Sequence, residues 1–163
     1  MYAGNDRGYV MPIMRLILWI IVCQLPAMAG SAVAAGNYAW YHTLNQPAFT
    51  PPDWLFAPVW TILYVLMGVA AFLITRHGLS AQNRTALLVF IVQLAVNALW
   101  MPLFFGLHQI GLAFVLLLVL TALAVWTVVL FWKLSRNAGW LLAPYIVWLL
   151  FACALNGFIW KLN

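Results

Sequence analysis

Long apolar runs alternate with short polar breaks along most of the chain. Each run is close to the roughly 20 residues that a helix needs to cross a bilayer. The five runs lie at about Ile13–Ala35, Pro58–Thr75, Thr85–Phe105, Leu112–Trp132 and Trp140–Trp160. Their apolar positions are continuous rather than alternating, and they exceed the roughly 9–11 residues of a barrel strand. Because a helix satisfies its backbone hydrogen bonds within one segment, the pattern predicts transmembrane α-helices.

The breaks between the later runs are short. They are the polar turn Arg76–Arg84, the uncharged turn Gly106–Gly111 and the basic turn Lys133–Asn137. Short connections favour antiparallel packing of consecutive helices. The sequence therefore predicts one all-α membrane domain over residues 1–163, a compact bundle of five helices.

The first connection, residues 36–57, is long and rich in aromatic residues and proline. Proline fixes its own φ and disfavours helix at the residue before it. Pro47, Pro51, Pro52 and Pro58 therefore predict an ordered, extended segment between Trp40 and Pro58. At a membrane surface, such a segment is either a lid over an apolar cavity or an interfacial anchor of aromatic rings. The segment alone leaves both interpretations open.

The composition indicates that lipid, rather than water, surrounds most of the chain. Hydrophobic residues make up 67% of the chain and charged residues 6%, against about 25% charged residues in a soluble domain. The chain is therefore expected to be an integral membrane protein. The net charge of +5 comes from basic residues scattered singly, without the cluster that a nucleic-acid partner requires.

The first apolar run has an alternative interpretation. Arg15, the apolar run after it and the small residues that follow resemble a secretory signal with a cleavage site. Cleavage would leave four helices, although the apolar stretch continues beyond the candidate site. Ala27, Ser31 and Ala35 are spaced by four and fit close helix packing equally well. A retained first helix is the preferred interpretation.

The basic residues predict an orientation. In a five-span arrangement only Lys161 falls on the same side as Asp53. The basic residues of the other side are Arg7, Arg15, Arg76, Arg84, Lys133 and Arg136. The positive-inside rule then places the N-terminus in the cytoplasm and the aromatic loop on the opposite side. This pattern suits a bacterial inner membrane, with an organellar or bacterial outer membrane as the alternatives.

Residues of conventional catalytic or metal chemistry are dispersed. Cys23 and Cys153 lie in different apolar spans and are interpreted as packing residues. His42, His77 and His108 lie in three loops on both sides of the membrane, so no shared metal site is expected. The spans hold no carboxylate, which argues against a proton-coupled pump.

Polar and aromatic residues share one face on three of the predicted helices. These residues are Trp60, Tyr64 and Gly68; Gln93, Asn97, Trp100 and Phe104; and Tyr145, Trp148, Ala152 and Asn156. The amides could join helices through hydrogen bonds of about 1 kcal/mol each. The indoles of Trp60, Trp100 and Trp148 are interpreted as the walls of a cavity for a flat, apolar ligand.

Three motifs resemble the translocator protein family, also called the tryptophan-rich sensory protein or peripheral benzodiazepine receptor family. They are WYxxLxxPxxxPPxWxFxPVWTxLYxxMG at Trp40–Gly68, NxxWxPLFFG at Asn97–Gly106, and PYxxWxxFAxxLN at Pro144–Asn156. The motifs occur in the family's order, and the resemblance covers roughly Trp40 to Asn163. The first span matches only in being apolar.

The resemblance implies a five-helix bundle in membrane lipid, often a homodimer, with a ligand cavity closed by loop 36–57. Members bind porphyrins such as protoporphyrin IX and synthetic benzodiazepine-site ligands, and no further cofactor is expected. Sterol binding belongs to the animal members. By motif position, the expected ligand-binding residues are Tyr41, Pro51, Trp60, Tyr64, Asn97, Trp100, Trp148, Ala152 and Asn156.

The chain departs from the family's sterol-recognition pattern. That pattern places a tyrosine shortly after a Leu-Asn pair and before a basic residue. Here the stretch Leu155–Lys161 contains no tyrosine. Although such patterns are weak evidence in themselves, the departure argues against cholesterol as the natural ligand.

Three functions remain open, and a binding or sensing protein for porphyrins is preferred. The first alternative is an enzyme that degrades porphyrin in light, with Trp60 and Trp148 as electron or radical partners of the excited ligand. Such chemistry would be the ligand's own, because no acid, base, nucleophile or metal site lies near the predicted cavity. The second alternative is transport of porphyrin or sterol-like molecules, although the repeats typical of secondary transporters are missing.

Overall fold

The computed structural model describes residues 6–76 and 78–163, with side chains described from residue 11 onward. His77 lies outside the described residues. Five long helices account for most of the described chain. They are α1 (Asp6–Tyr41), α2 (Phe56–Thr75), α3 (Ala81–Met101), α4 (Ile110–Leu134) and α5 (Arg136–Leu162).

The first connection is shorter than predicted. Helix α1 continues through Trp40 to Tyr41, so the expectation that the extended segment begins at Trp40 is wrong. The non-helical part ends in a short 3₁₀ turn, Asp53–Leu55. Pro58 lies in the first turn of α2, where a residue without a backbone N–H costs no helical hydrogen bond.

Two serines set helix starts that the apolar pattern misplaced. The Ser80 hydroxyl accepts a hydrogen bond from the backbone N–H of Asn83 at 3.2 Å, and α3 begins at Ala81 rather than Thr85. The Ser135 hydroxyl accepts from the N–H of Ala138 at 3.4 Å. Ser135 alone separates α4 from α5. Polar residues belong to these helices because serine caps satisfy their first N–H groups.

Helix α3 ends in a π-helical turn, Pro102–Gly106. Pro102 has no N–H to continue the α-helical ladder, and its carbonyl accepts from the N–H of Leu107 at 2.9 Å. The wider turn brings two successive rings, Phe104 and Phe105, into the interior with exposures of 2% and 8%.

The helices form a closed ring in the order α1, α2, α5, α4, α3 and back to α1. Helices α2 and α3 touch only sparsely, although residues 76–80 join them directly. The expectation that short connections make neighbours is therefore wrong at this link. A stretch of this length reaches roughly 16 Å when extended. It can therefore join α2 to α3 without the two helices packing side by side, and α2 packs on α1 and α5.

Gly68 allows α1 and α2 to approach closely. A Cβ atom at Gly68 would lie 2.7 Å from the Cα of Ile20. Two turns further along α2, the Thr75 hydroxyl accepts a hydrogen bond from the Trp19 indole N–H at 2.9 Å. Small residues at helix interfaces favour such contacts in membranes.

The outer surface of the bundle is apolar. All five helices are long and apolar enough to cross a membrane. Large side chains such as Leu18, Leu88 and Val147 are more than 60% exposed, which is the arrangement expected when lipid rather than water surrounds the helices. The chain is a multi-pass integral membrane protein.

Candidate functional site

A cavity of about 460 Å³ lies between the helices, in the half of the bundle nearest the first connection. Small-molecule sites typically measure about 300–1,000 Å³. All five helices and the π turn contribute to its lining. Eight of the nine residues expected from the sequence line it: Tyr41, Trp60, Tyr64, Asn97, Trp100, Trp148, Ala152 and Asn156. Pro51 is not among the lining residues.

Stacked and perpendicular rings form the walls. The Trp60 and Tyr64 rings stack with centroids 5.3 Å apart, one turn apart on α2. The Trp148 ring meets Trp60 nearly at a right angle, at 6.4 Å. On α3, the Trp100 ring stacks on Phe104 at 5.0 Å. Such pairs hold each other in fixed orientations, so the rings that form the walls are held in place.

A buried chain of hydrogen bonds forms the floor. The Tyr64 hydroxyl donates to Asn97 Oδ1 at 2.6 Å, and Asn97 Nδ2 donates to the Tyr145 hydroxyl at 3.0 Å. The Tyr145 hydroxyl in turn donates to Gln93 Oε1 at 2.9 Å. The chain joins α2, α3 and α5, as the interhelical interpretation of the amides predicts. Because Asn97 also lines the cavity, the two interpretations of this residue are compatible.

A second hydrogen-bond chain supports the wall at Trp100. Its indole N–H donates to Asn156 Oδ1 at 3.2 Å. Asn156 Nδ2 donates to the backbone carbonyl of Ile110 at 3.0 Å. Three helices are thereby held together, and the Trp100 ring is fixed by this hydrogen bond and by its stacking on Phe104.

Trp148 differs from Trp100 because its indole N–H makes no hydrogen bond to the described residues. This buried nitrogen has no hydrogen-bond partner among the described residues. A buried donor left unpaired costs about 1–3 kcal/mol. Since Trp148 lines the cavity, an acceptor atom on a ligand could remove that cost.

The middle of the first connection packs against α5 and the residue that follows it. The Asn45 backbone N–H donates to Asn163 Oδ1 at 2.9 Å, and Asn163 Nδ2 donates to the Asn45 carbonyl at 3.1 Å. The Phe49 ring packs edge-on against Phe158 and Phe151. Only the ends of segment 36–57 line the cavity, which explains the position of Pro51 outside it.

The cavity also reaches the outer surface of the bundle. Met28 on α1 lines it and is 68% exposed. Ser31 on α1 and Ala57 and Thr61 on α2 also combine lining positions with exposed side chains. The cavity therefore opens sideways between α1 and α2.

Sequence patterns missed several lining residues. Asp53 is the only charged lining residue in the part of the chain that the structure describes, and Phe56, one turn further on, lies at the start of α2. Leu117 and Leu120 of α4 line the cavity, but nothing distinguishes them from other leucines of that helix. Phe105 enters through the π turn, for which Pro102 was the only signal.

His108 and Cys23 make contacts within the protein. His108 stacks on Trp40 at 3.9 Å, and its Nε2 lies 3.1 Å from Asn37 Oδ1. Cys23 is fully buried in the main core. Among the described residues, no group of three metal-ligating side chains occurs.

Comparisons with known proteins agree with the architecture. Residues 17–161 match the model of the TspO/MBR family. Protein CrtK of Rhodobacter capsulatus is 37% identical over 149 residues, covering 90% of this chain and 91% of that protein. The translocator protein of Ovis aries is 41% identical over 129 residues, covering 78% of this chain and 76% of that protein. The tryptophan-rich sensory protein of Cereibacter sphaeroides is 35% identical over 147 residues, 90% of each chain. The chain belongs to the TspO/MBR family.

Proposed function

We propose that this protein binds and senses a flat, mostly apolar ligand, a porphyrin such as protoporphyrin IX, in the central cavity. The observation that carries the proposal is the wall of three indoles from three helices, Trp60, Trp100 and Trp148, around about 460 Å³ of space. Aromatic walls with a few orienting polar groups are typical of sites for such ligands. The name of the Cereibacter relative, a sensory protein, supports sensing.

The geometry supports binding by insertion between rings. A planar macrocycle would stack against Trp60 or Trp100, whose orientations are already fixed. The unpaired Trp148 N–H would donate to an acceptor on the ligand. Among the described residues, no arginine or lysine lines the cavity, so the propionates of a porphyrin would point toward water or amide donors.

A dark titration tests binding. Protoporphyrin IX is added to the protein in nanodiscs, and quenching of tryptophan emission is followed. We expect saturable quenching, with a Kd roughly tenfold higher for Trp148→Ala because about 1.4 kcal/mol of ring contact is lost. Trp126→Ala is the matched control, since Trp126 is 53% exposed on α4 and does not line the cavity.

Two results would contradict binding in the cavity. Linear quenching, equal in the parent protein and both variants, would show that porphyrin only dissolves in the lipid. Equal loss of affinity in Trp148→Ala and Trp126→Ala would argue that the porphyrin binds outside the cavity.

A second candidate function is light-driven porphyrin breakdown, favoured by the contact of Trp60 with Trp148 in the cavity wall. An indole would give one electron to the excited porphyrin, and dioxygen would accept that electron as superoxide. Superoxide would add across one C=C bond of the ring and return one electron to the indole cation, and cleavage of that bond would place one oxygen atom on each of two new carbonyl groups. Replacing both residues by phenylalanine keeps most of the stacking area. If the double variant binds porphyrin in the dark but loses it more slowly in light and air, the photochemical function gains support. Unchanged loss in light rejects a role for these indoles.

A further inference from the structure

We propose that Asp53 makes the cavity selective for ligands whose polar end is neutral or positively charged, with lipophilic amines as the favoured class. The inference rests on the proposed function in assuming that the cavity holds an apolar ligand. It adds the charge of that ligand's polar end, which family membership does not assign.

The charge at the cavity wall is of one sign. Among the described residues that line the cavity, Asp53 alone carries a charge, and that charge is negative. Asp53 is also the only carboxylate side chain among the residues whose side chains are described. An ion entering the cavity would therefore meet a single fixed charge, which attracts a cation and repels an anion.

His42 balances the carboxylate only partly. Its Nε2 lies 3.1 Å from Asp53 Oδ2, and the two side chains are 58% and 39% exposed. The imidazole cancels the negative charge only while it is protonated. His42 itself does not line the cavity. The Asp53 carboxylate can therefore contact the imidazole outside the cavity and a ligand inside it.

Aromatic rings near Asp53 add to the same preference. Phe56 follows one turn later, and its ring meets Trp148 at 5.9 Å. Trp60 lies one further turn along α2 and also lines the cavity. The faces of aromatic rings carry negative electrostatic potential and attract ammonium groups. A carboxylate combined with ring faces is the usual recognition chemistry for an amine on an apolar body.

The preference has a consequence for porphyrins. The two propionates of protoporphyrin IX would be repelled by Asp53 and would lie at the end of the ligand remote from it. An esterified porphyrin would lack this constraint. Free acid and ester should therefore differ in affinity, and the difference should depend on Asp53.

Matched probes test the charge alone. Three forms of one macrocycle are titrated in nanodiscs of zwitterionic lipid: protoporphyrin IX, its dimethyl ester, and its amide with dimethylaminoethylamine, which is cationic. In the parent protein we expect the amide to bind most tightly and the acid least. Asp53→Asn should tighten the acid and weaken the amide by about three- to fivefold each, as for a half-exposed ion pair, with the ester changed less than twofold. Asp53→Glu keeps the charge and should keep the order.

A second pair of probes separates this inference from the porphyrin proposal. Pyrenemethylamine and pyrenemethanol share a flat apolar ring and differ in charge. If the dimethyl ester shows no saturable binding but Asp53→Asn weakens only the amine of the pyrene pair, the porphyrin proposal fails and the charge selectivity stands. If Asp53→Asn changes charged and neutral probes equally, or changes none, the selectivity is overturned.

Discussion

Asn97 has two roles that a single helix position can combine. Its amide accepts from Tyr64 and donates to Tyr145, and the same residue lines the cavity. In lipid, an amide without partners is costly, so both hydroxyl contacts hold it in one orientation. The floor of the cavity and the joint between three helices are therefore one structure.

Replacing Asn97 by leucine should destabilise the bundle. Tyr64 loses its acceptor and Tyr145 loses a donor, both in buried positions. We expect a cost of about 1–2 kcal/mol, measured as a lower Tm for thermal unfolding in detergent. Thr127→Val is the matched control, because the buried Thr127 hydroxyl bonds only the Leu123 carbonyl of its own helix. Equal Tm values for the two variants would contradict the interhelical role.

Helical periodicity could predict much of the site at this scale. Residues spaced by three or four share a face, and a face that mixes indoles with amides rarely faces lipid. That reasoning selects Trp60, Trp100 and Trp148 without any knowledge of the bundle. It cannot select Leu117, because a leucine that lines a cavity and one that contacts lipid have the same local sequence pattern. Asp53 was missed because its place depends on how segment 42–52 folds back.

At the scale of elements, the close contact of α1 with α2 depends on one missing side chain. Gly68→Ala would place a methyl group against the backbone of Ile20. We expect the helices to separate, at a cost of about 1–3 kcal/mol, and the Trp19 to Thr75 hydrogen bond to weaken. Gly36→Ala on α1 is the control. A Cβ there meets nothing within 4 Å, and alanine favours helix by about 1 kcal/mol.

Thermal unfolding of both alanine variants measures the difference. A fall in Tm for Gly68→Ala together with an unchanged or higher Tm for Gly36→Ala is the expected result. If Gly68→Ala is as stable as the parent, α1 adjusts without cost and the contact is not tight.

Helix existence could be predicted from the sequence, whereas helix ends could not. Hydropathy identifies the residues that prefer lipid, so a span predicted from it ends where polar residues begin. The ends of α3 and α5 depend instead on the caps Ser80 and Ser135, which keep Arg84 and Arg136 helical beyond the apolar runs. Likewise, the prolines of the first connection do not act on Trp40, so α1 continues to Tyr41.

For the whole molecule, we expect the charges to set the orientation of the bundle in the membrane. Arg15, Arg84 and Lys133 lie near one end of the helix ring, and Lys161 lies near the other with Asp53. In a bacterial inner membrane, the positive-inside rule places the Lys161 end outside the cytoplasm. Cysteine accessibility tests this placement after Cys23 and Cys153 are replaced by alanine.

Two exposed positions report on opposite sides. Ala48→Cys, in the first connection, should react with an impermeant maleimide added to intact spheroplasts. Gln82→Cys, at the start of α3, should react only after the membrane is permeabilised. Both side chains are exposed in the bundle, so access depends on the side of the membrane alone. The reverse pattern would show that the N-terminus faces outward.

The order of helices around the ring is the part of the architecture that sequence could not predict. Connection length limits which helices can be neighbours but does not select among them. The selection is made by contacts such as Gly68 against Ile20 and Trp100 against Asn156, which join residues far apart in the chain. Such contacts depend on shape, which hydropathy does not encode.

The opening between α1 and α2 has a consequence for how occupancy is controlled. Since Met28 and Thr61 border the cavity at the outer surface of the bundle, an apolar molecule can exchange directly between the cavity and the bilayer. The relevant dose is then the mole fraction of that molecule in the membrane, not its aqueous concentration. Added protein-free vesicles should compete with the site for ligand, and a cell could alter its occupancy by changing membrane volume alone.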